Sequence, residues 1–288
     1  MLRDSFTFFD LCVQLPDRYE SEHLCMSAFG ISRNILLKEF KTPLNQLFNI
    51  KKIYKSYRKY QYFLKLRNRN MPLAYILKST DFMMHRYHIK PGVLIPRPET
   101  ELLVETMINY IKKLSLQPTI LELGFGSGVI SIELGLAFPH LKIIACDISK
   151  KAYQLAKLNA SELKVNNIFF INNDFFKSNE VKKILNSDDS IFFVSNPPYI
   201  PDIDIPTLMP DVLLYEPKAA LKGGQGGLKF YRKIIRYFQE YTSIKMLFFE
   251  IGIDQSKPLA KLAHQFGWNR IEFLNDYQGI PRIMMIHL

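Results

Sequence analysis

The chain has 288 residues, of which 48% are hydrophobic, and it carries a formal net charge of +11 at pH 7. This length suits one large domain plus a small one, and this apolar content excludes wholesale disorder. No apolar run approaches the roughly 18–20 residues that span a bilayer, and the start of the chain shows no signal-peptide pattern. We therefore expect a cytoplasmic protein that does not contact a membrane.

The cysteines and histidines give no metal pattern. Cys12, Cys25 and Cys146 are odd in number and lack Cys-x-x-Cys spacing, which favours reduced thiols over a disulfide scaffold or a zinc site. His85 and His88 are closely spaced, but the sequence places no cysteine and no carboxylate pair beside them. We expect no metal cofactor.

The positive charge is concentrated near the start of the chain. Residues 1–90 carry 16 Lys and Arg against 7 Asp and Glu, a net of +9, whereas residues 91–288 carry 22 against 20, a net of +2. Such a basic segment suits a surface that faces nucleic acid or an acidic partner. It suits a solvated face equally well, and both interpretations stay open.

Residues 1–75 are predicted to form a small helical domain. Apolar residues recur at helical spacing from Leu44 to Tyr54 and from Ile53 to Leu64, with lysines and arginines between them. Thr42-Pro43 predicts a helix start, because proline suits the first turn. The tyrosines in this stretch suit either stacking on nucleic-acid bases or a packed core, and the core is favoured.

Residues 76–98 are predicted to form a β-hairpin, over Asp81–Lys90, and a stiff proline-rich connector. From residue 99 to the end, strand-like runs alternate with amphipathic helical stretches, a pattern that predicts an α/β fold with a doubly wound, mostly parallel sheet. Five strands are predicted at Thr119–Leu123, Lys142–Asp147, Ile168–Asn172, Ser190–Ser195 and Lys245–Ile251. Two more, Asn269–Asn275 and Arg282–Leu288, bring the predicted sheet to seven strands.

A glycine-rich turn follows the first of these strands and precedes the predicted helix Val129–Ala137. Glycines let the backbone approach a ligand closely. Val129 stands where a dinucleotide fingerprint needs glycine, and no Gly-Lys-Ser/Thr follows, so the turn suits a ligand without pyrophosphate. The predicted ligand-binding residues of this turn are Gly124, Phe125, Gly126, Ser127 and Gly128.

Acidic residues follow the next two strands. Asp147 lies 21 residues after Gly126, where a carboxylate can accept both ribose hydroxyls of a nucleoside. Asp174 can accept from an adenine amino group, and Phe175 can cover the adenine ring; Asp174 suits a helix cap as well. Because these residues all follow strand carboxyl ends, they are expected to line one crevice.

Asn196-Pro197-Pro198-Tyr199 follows the fourth predicted strand. Each proline holds φ near about −65° and keeps the residue before it extended, so the Asn196 side chain and the Pro197 carbonyl have fixed directions. Two oxygens aimed at one point can accept both hydrogens of one NH₂ group, and the Tyr199 ring can cover a planar substrate. The loop thus predicts methyl transfer to an amide or amino nitrogen, although a Pro-Pro pair also suits a simple turn. If the ring face matters and not the hydroxyl, Tyr199→Phe should cost little.

Further motifs lie between residue 70 and the end of the chain: Pro-Leu-Ala-Tyr-Ile-Leu at 72–77, Gly-Val-Leu-Ile-Pro-Arg-Pro-Glu-Thr-Glu at 92–101, Asn-Pro-Pro-Tyr-Ile at 196–200, Glu-Pro at 216–217 and Gly-Gly-x-x-Gly-Leu-x-Phe-Tyr at 223–231. With the glycine-rich turn and the acidic residues, they resemble the S-adenosylmethionine-dependent methyltransferases, and among them the peptide chain release factor N5-glutamine methyltransferases. The most specific motif is the connector at 92–101, because enzymes that methylate bases share the Asn-Pro-Pro-Tyr loop. Phe125 stands where a small Thr is usual in the family, and Phe175 stands where Trp is common.

The resemblance implies that Gly124–Gly128, Asp147, Phe175 and Asn196 contact S-adenosylmethionine, which leaves as S-adenosylhomocysteine. It also implies that Asn196–Tyr199 holds the glutamine of the Gly-Gly-Gln motif of release factors, and that the helical N-terminal domain docks the release factor. We expect direct in-line transfer, oriented by Asn196 and the Pro197 carbonyl, in a monomer that needs no metal and no nucleic acid. The chain's own Gly-Gly-Gln at 223–225 precedes a predicted helix and is not expected to be a substrate.

Two other functions remain open from the sequence. A nucleic-acid base amino-methyltransferase, acting on adenine N6 or guanine N2, is favoured by the basic N-terminal third. A non-enzymatic helical adaptor with a silent methyltransferase domain is the other, and the intact glycine turn, Asp147 and Asn-Pro-Pro-Tyr loop argue against it.

Overall fold

The computed structural model describes residues 6–114, 117–187 and 189–287. The helical prediction for residues 1–75 includes residues 1–5, and the last predicted strand includes Leu288; both lie outside the described residues. The chain divides into two compact units, residues 1–78 and residues 79–288. Within the described residues, no helix is both long enough and apolar enough to cross a membrane.

In its described part, from residue 6 onward, the first unit has six helices around an apolar core. Phe8, Leu24 and Tyr60 are fully buried there, and the Tyr60 hydroxyl donates to the Leu11 carbonyl at 2.6 Å. The packed-core interpretation therefore holds for Tyr60, whereas Tyr54 and Tyr62 are exposed. The helices are α1 (Phe8–Cys12), α2 (Arg18–Phe29), α3 (Arg33–Lys38), α4 (Leu44–Leu47), α5 (Ile50–Arg67) and α6 (Leu73–Leu77).

The helical spacing predicted to run from Leu44 to Tyr54 is broken in the structure. Helix α4 ends at Leu47, and Asn49 adopts an extended conformation with φ −69° and ψ 157°. The Asn49 side chain accepts a hydrogen bond from the Lys52 N–H at 2.9 Å and caps α5. The expectation that helical spacing continues unbroken from Leu44 to Tyr54 is wrong here, because the backbone is extended at Phe48 and Asn49, and the Asn49 side chain caps the start of a new helix.

The second unit begins with an antiparallel hairpin, β1 (Ser79–Phe82) and β2 (His85–His88). Met83 turns the chain between them with a positive φ of 51°. The hairpin starts and ends two residues before the predicted segment Asp81–Lys90. Asn159 then ties it to the rest of the unit, since its side chain accepts the His88 N–H at 2.8 Å.

A seven-stranded sheet forms the centre of the second unit, in the order β5-β4-β3-β6-β7-β9-β8. Strands β3 to β7 run parallel, and β9 is antiparallel to both of its neighbours. This confirms the predicted mostly parallel, doubly wound sheet, and every strand boundary that falls on described residues lies within one residue of the prediction. The strands are β3 (Thr119–Leu123), β4 (Ile143–Asp147), β5 (Ile168–Asn172), β6 (Ile191–Ser195), β7 (Ile244–Glu250), β8 (Arg270–Asn275) and β9 (Pro281–His287).

Both faces of the sheet are buried under helices. Along β6, Phe192 and Val194 join the apolar cluster of one face, and Ile191 and Phe193 join that of the other. Burial on both sides explains why these strands read as continuous apolar runs. The helices of this unit are α7 (Pro98–Lys112), α8 (Val129–Ala137), α9 (Lys150–Glu162), α10 (Asn179–Leu185), α11 (Pro210–Tyr215), α12 (Lys229–Phe238) and α13 (Ser256–Gln265).

The strand order positions the site. The chain adds β4 and β5 on one side of β3 and then returns to place β6 on the other side. Loops that follow β3 to β6 therefore open at one carboxyl edge, where the order reverses. This is the position at which open α/β sheets bind ligands.

Candidate active site

A cavity of about 430 Å³ opens at this edge, between the connector and the loops that follow β3, β4, β5 and β6. It brings together most of the residues predicted from the sequence. Gly128 and Tyr199 are not among the described residues that line it. Those predicted residues that do are Gly124, Phe125, Gly126, Ser127, Asp147, Asp174, Phe175, Asn196, Pro197 and Pro198.

Asp147 is held by two backbone groups at the end of β4. The Gly126 N–H donates to its Oδ2 at 2.9 Å, and the Ser149 N–H donates to its Oδ1 at 2.8 Å. Gly126 can turn its N–H toward the carboxylate because it adopts a positive φ of 55°. Burial raises the pKa of Asp147, and these two bonds oppose that rise. Each oxygen keeps acceptor capacity for a ligand hydroxyl.

Phe125 places its side chain in the core. It is 3% exposed and packs in a cluster with Val93 and Leu155, with its ring edge-on to Phe170 at 5.1 Å. The Phe125 ring, which stands where the resemblance leads us to expect Thr, is thus buried between the glycine-rich turn and α9.

The loop after β5 differs in detail from the prediction. Asp174 accepts the Phe176 N–H at 3.0 Å within a turn, and Ser178 caps the next helix, so Asp174 is not the cap. Phe175 is 2% exposed and packs edge-on against Phe193. Its neighbour Phe176 is half-buried at the cavity, with the Lys233 ammonium 3.6 Å from its ring centroid. The sequence reasoning had not selected Phe176 or Lys233.

The Asn-Pro-Pro-Tyr loop is anchored to the glycine-rich turn. The Ser195 hydroxyl donates to the Leu123 carbonyl at 2.8 Å, which joins the ends of β6 and β3. Among the described residues, none donates a hydrogen bond to Asn196 Oδ1 or to the Pro197 carbonyl oxygen. Two acceptors from consecutive residues therefore remain available at the cavity.

Tyr199, which does not line the cavity, makes its contacts with residues outside the Asn-Pro-Pro-Tyr loop. Its hydroxyl donates to Glu250 Oε1 at 3.2 Å, its carbonyl accepts from Gln255 Nε2 at 2.9 Å, and its ring lies against Gly252. These contacts hold the end of the loop. They also give the hydroxyl a partner, which the sequence reasoning had not foreseen.

Thr100 and Glu250 form a chain of hydrogen bonds behind Asn196. Asn196 Nδ2 donates to Thr100 Oγ1 at 3.0 Å, and Thr100 Oγ1 donates to Glu250 Oε2 at 2.6 Å. Glu250 is 1% exposed, and burial raises its pKa to about 7. The sequence analysis does not predict Thr100 or Glu250 as site residues. The available indications were that Thr100 lies in the connector motif and that Glu250 ends a strand.

The other polar residues of the connector also have partners. Arg97 Nη2 donates to Glu216 Oε1 at 2.7 Å, and Glu101 accepts the Met83 N–H at 2.7 Å. Burial raises the pKa of Glu216, and Arg97 opposes that rise. The connector therefore joins the hairpin, the Asn-Pro-Pro-Tyr loop and the segment that follows this loop.

The closely spaced histidines each meet a carboxylate that the sequence reasoning had not placed beside them. His85 Nδ1 lies 2.9 Å from Glu133 Oε1, and His88 Nε2 lies 2.8 Å from Glu162 Oε2. Helices α8 and α9 bring these carboxylates to the hairpin. In the described residues, no three or more His, Cys, Asp or Glu side chains are grouped to hold a metal ion.

The residues at the cavity fit a nucleoside. Asp147 presents a preoriented carboxylate for the ribose, and a Cβ built on Gly124 would have no heavy atom within 4 Å, so a ligand can approach that backbone. Ile148 and Phe176 add apolar surface for a base. These residues thus fit the S-adenosylmethionine that is expected from the sequence.

Similarity to known proteins points to one family. The model of the Methyltransferase small domain matches residues 98–244. The release factor glutamine methyltransferase of Thermodesulfovibrio yellowstonii is 37% identical over 227 residues, which are 77% of this chain and 78% of that protein. The one from Geobacter sulfurreducens is 32% identical over 268 residues, 93% of this chain and 88% of the relative.

Solved structures support the fold alone. The hMettl16 catalytic domain aligns with a TM-score of 0.53 at 17% identity, over 70% of this chain and 75% of that one. The sequence relatives are far closer, and they cover both the site and most of the chain. The chain belongs to the release factor glutamine methyltransferase family.

Proposed function

We propose that this protein transfers a methyl group from S-adenosylmethionine to the side-chain amide nitrogen, N5, of the glutamine in the Gly-Gly-Gln motif of peptide chain release factors. The observation that carries the proposal is the pair of available acceptors, Asn196 Oδ1 and the Pro197 carbonyl, beside a nucleoside-fitting cavity. A primary amide offers two N–H donors that match this pair. Because release factors act in translation, the proposal places the reaction in the cytoplasm.

The residues of the loop do the orienting. An amide nitrogen is a poor nucleophile because its lone pair is delocalised into the carbonyl. With both hydrogens held by Asn196 and Pro197, the nitrogen has one position and one direction of attack. Holding reactants in this way can contribute roughly 7–11 kcal/mol.

The same two oxygens stabilise the transition state. Positive charge develops on the nitrogen as it forms a bond to carbon, and fixed acceptor dipoles favour that charge. S-adenosylmethionine, when bound, would supply an electrophilic methyl group on a sulfonium and would leave as S-adenosylhomocysteine. The amide nitrogen would release one of its two hydrogens to water as a proton. The residues proposed to hold it are Gly124, Phe125, Gly126, Ser127, Gly128, Asp147, Asp174, Phe175 and Asn196. The proposed reaction uses a monomer and no metal.

The decisive experiment combines the protein, labelled S-adenosylmethionine and a purified release factor, and maps the methyl group by mass spectrometry. We expect one methyl on the glutamine side chain, and we expect Asn196→Ala to lose nearly all turnover while its circular dichroism stays unchanged. Substantial activity in that variant would refute the role of Asn196. A methyl group found elsewhere would refute the proposed substrate.

A second function has one observation in its favour, the net charge of +9 over residues 1–90. A base amino-methyltransferase would modify nucleic acid without any release factor, and its binding would fall steeply with salt. The same assay with total RNA and duplex DNA in place of the release factor separates the two. Incorporation into nucleic acid alone would favour the second function.

A further inference from the structure

Glu250 is linked to both ends of the Asn196–Tyr199 loop, which we call the catalytic loop: directly to Tyr199, and to Asn196 through Thr100. It lies at the end of β7 and is 1% exposed, and its carboxylate accepts from the Thr100 hydroxyl at 2.6 Å and from the Tyr199 hydroxyl at 3.2 Å. The Tyr231 hydroxyl fixes the backbone of Glu250 by donating to its carbonyl at 2.7 Å. A carboxylate buried this deeply is costly, so its partners point to a role for it.

We propose that Glu250 and Thr100 are positioning residues that determine which end of the Asn196 amide faces the substrate. This inference rests on the proposed transfer to an amide nitrogen. It deepens that proposal, because it explains how a side chain with an oxygen at one end and an NH₂ at the other presents only the oxygen.

The orientation follows from counting donors and acceptors. An ionised carboxylate can only accept, so the single hydrogen of the Thr100 hydroxyl is committed to Glu250. The Thr100 oxygen can then only accept from Asn196, which must offer its NH₂ group, as the 3.0 Å contact from Nδ2 shows. Asn196 Oδ1 is left to face the cavity. In the reverse orientation an NH₂ group would face the NH₂ group of the substrate.

Protonation of Glu250 removes this constraint. A neutral carboxyl group can donate to Thr100, which frees the Thr100 hydrogen for Asn196 Oδ1 and permits the reverse orientation. Burial is the main cause that raises the pKa of Glu250 to about 7; Glu99 reinforces the rise, whereas Thr100, Tyr199 and Arg282 oppose it. Among the described residues, Tyr231 also faces Glu250 and donates its hydroxyl to the Glu250 carbonyl. Turnover should therefore rise as pH increases through about 7.

The test compares Thr100→Val with Thr100→Ser in the full chain, with a purified release factor as substrate. Valine keeps the shape of threonine and removes the hydroxyl. We expect kcat to fall by roughly tenfold in Thr100→Val, with the KM for S-adenosylmethionine within about twofold of the wild-type value and the rise of kcat near pH 7 flattened. Serine keeps the hydroxyl and should recover most of the lost kcat and the pH dependence.

Two further variants keep the test decisive. Thr119→Val is the matched control, because Thr119 is also buried and hydroxyl-bonded, at 3.2 Å to Asp189, but starts β3 at the opposite edge of the sheet. It should leave kcat and the pH profile unchanged. Glu250→Gln keeps the shape of the side chain but is no longer purely an acceptor, so it too should flatten the rise near pH 7.

The outcomes separate this inference from the proposed function. If the wild-type protein methylates glutamine and Thr100→Val keeps the wild-type kcat and pH profile, the positioning role is wrong and the function stands. The role is equally overturned if Glu250→Gln retains the rise near pH 7. If the wild-type protein does not methylate glutamine, the proposed function itself fails.

Discussion

At the scale of single residues, Asp147 is the carboxylate that we propose binds the cofactor ribose. Both of its oxygens already accept one backbone N–H each, from Gly126 and Ser149. An Asp147→Asn variant would turn an NH₂ group toward one of these donors and lose the charge. We expect the dissociation constant for S-adenosylmethionine to rise roughly 10- to 100-fold, measured by calorimetry.

The matched control for this variant is Asp189→Asn. Asp189 also accepts a side-chain hydrogen bond, from Thr119, but at the edge of the sheet opposite the cavity. Its cofactor affinity should equal that of the wild-type protein. Equal affinity in both variants would remove Asp147 from the cofactor site.

Glu122 is a second buried carboxylate, beneath the glycine-rich turn. It is fully buried, its Oε2 accepts the Ser131 hydroxyl, and burial is the main cause that raises its pKa to about 8. In the unfolded chain the pKa returns to 4.5, so between these values the folded state holds a proton that the unfolded state has lost. Glu122 therefore contributes stability that is complete below about pH 4.5 and disappears as pH rises through about 8.

We expect Glu122→Gln to remove this pH dependence. From about pH 5 to about pH 8, the free energy of unfolding of the wild-type protein should fall by on the order of 3 kcal/mol relative to the variant. Urea unfolding followed by circular dichroism at several pH values measures the difference. Glu250 titrates in both proteins, so its contribution to the free energy of unfolding cancels in the comparison. Parallel curves would mean that Glu122 has no raised pKa.

At the scale of elements, the segment from Leu221 to Gly227 braces the catalytic loop from behind. Ile200 donates its N–H to the Leu221 carbonyl at 3.0 Å, and the Gly223 N–H donates to the Ile200 carbonyl at 2.7 Å. Gln255 bonds both the Tyr199 and the Gly226 carbonyls, at 2.9 and 3.3 Å. The Gly-Gly-Gln tripeptide of this chain thus lies in a structural brace.

Gly227 is a position in this brace where a side chain does not fit. A Cβ there would lie 2.0 Å from the Tyr199 carbonyl oxygen, whereas a Cβ on Gly226 would have nothing within 4 Å; φ is positive at both. Gly226→Ala should cost only about 1 kcal/mol of backbone strain. Gly227→Ala should carry the same strain, lower the melting temperature further and reduce kcat, because the catalytic loop must move. Equal melting temperatures and equal kcat in the two variants would contradict this.

The elements were predictable to different degrees. The central strands could be placed within one residue because a strand buried on both faces is a short apolar run bounded by turn residues. The break between α4 and α5 could not be placed, because apolar spacing continues through it and the capping side chain of Asn49 starts a new helix two residues after α4 ends. Periodicity reports which face is buried and does not report where the backbone leaves the helix.

At the scale of the whole molecule, the residues that line the cavity could be predicted from the sequence, but the buried residues that hold them in position could not. Gly126, Asp147 and Asn196 follow strand carboxyl ends, so the fold rule alone brings them together. Thr100 and Glu250 are 150 residues apart and meet through one hydrogen bond. No local pattern encodes that contact, and the pKa of Glu250 depends on burial that only the folded chain creates.

The charge distribution bears on how the release factor is bound. We expect an acidic surface of the partner to bind helix α5. Residues 1–75 have the proposed docking role, and residues 1–90 carry a net charge of +9. Lys51 and Lys55 lie one turn apart on this helix, both are exposed, and neither has a carboxylate partner among the described residues.

Charge reversal on this helix distinguishes a surface that docks the release factor from a surface that is only solvated. Lys51→Glu/Lys55→Glu should raise the KM for the release factor roughly tenfold and leave kcat unchanged, because the residues that we propose to catalyse the transfer all lie within residues 79–288. The control is Lys257→Glu/Lys261→Glu, which reverses the same charge at the same spacing on an exposed face of α13. Initial rates at several salt concentrations measure both, and the tenfold difference should shrink as salt screens the charges. If both double variants keep the wild-type KM at low salt, the basic face of α5 is solvated and the release factor docks elsewhere.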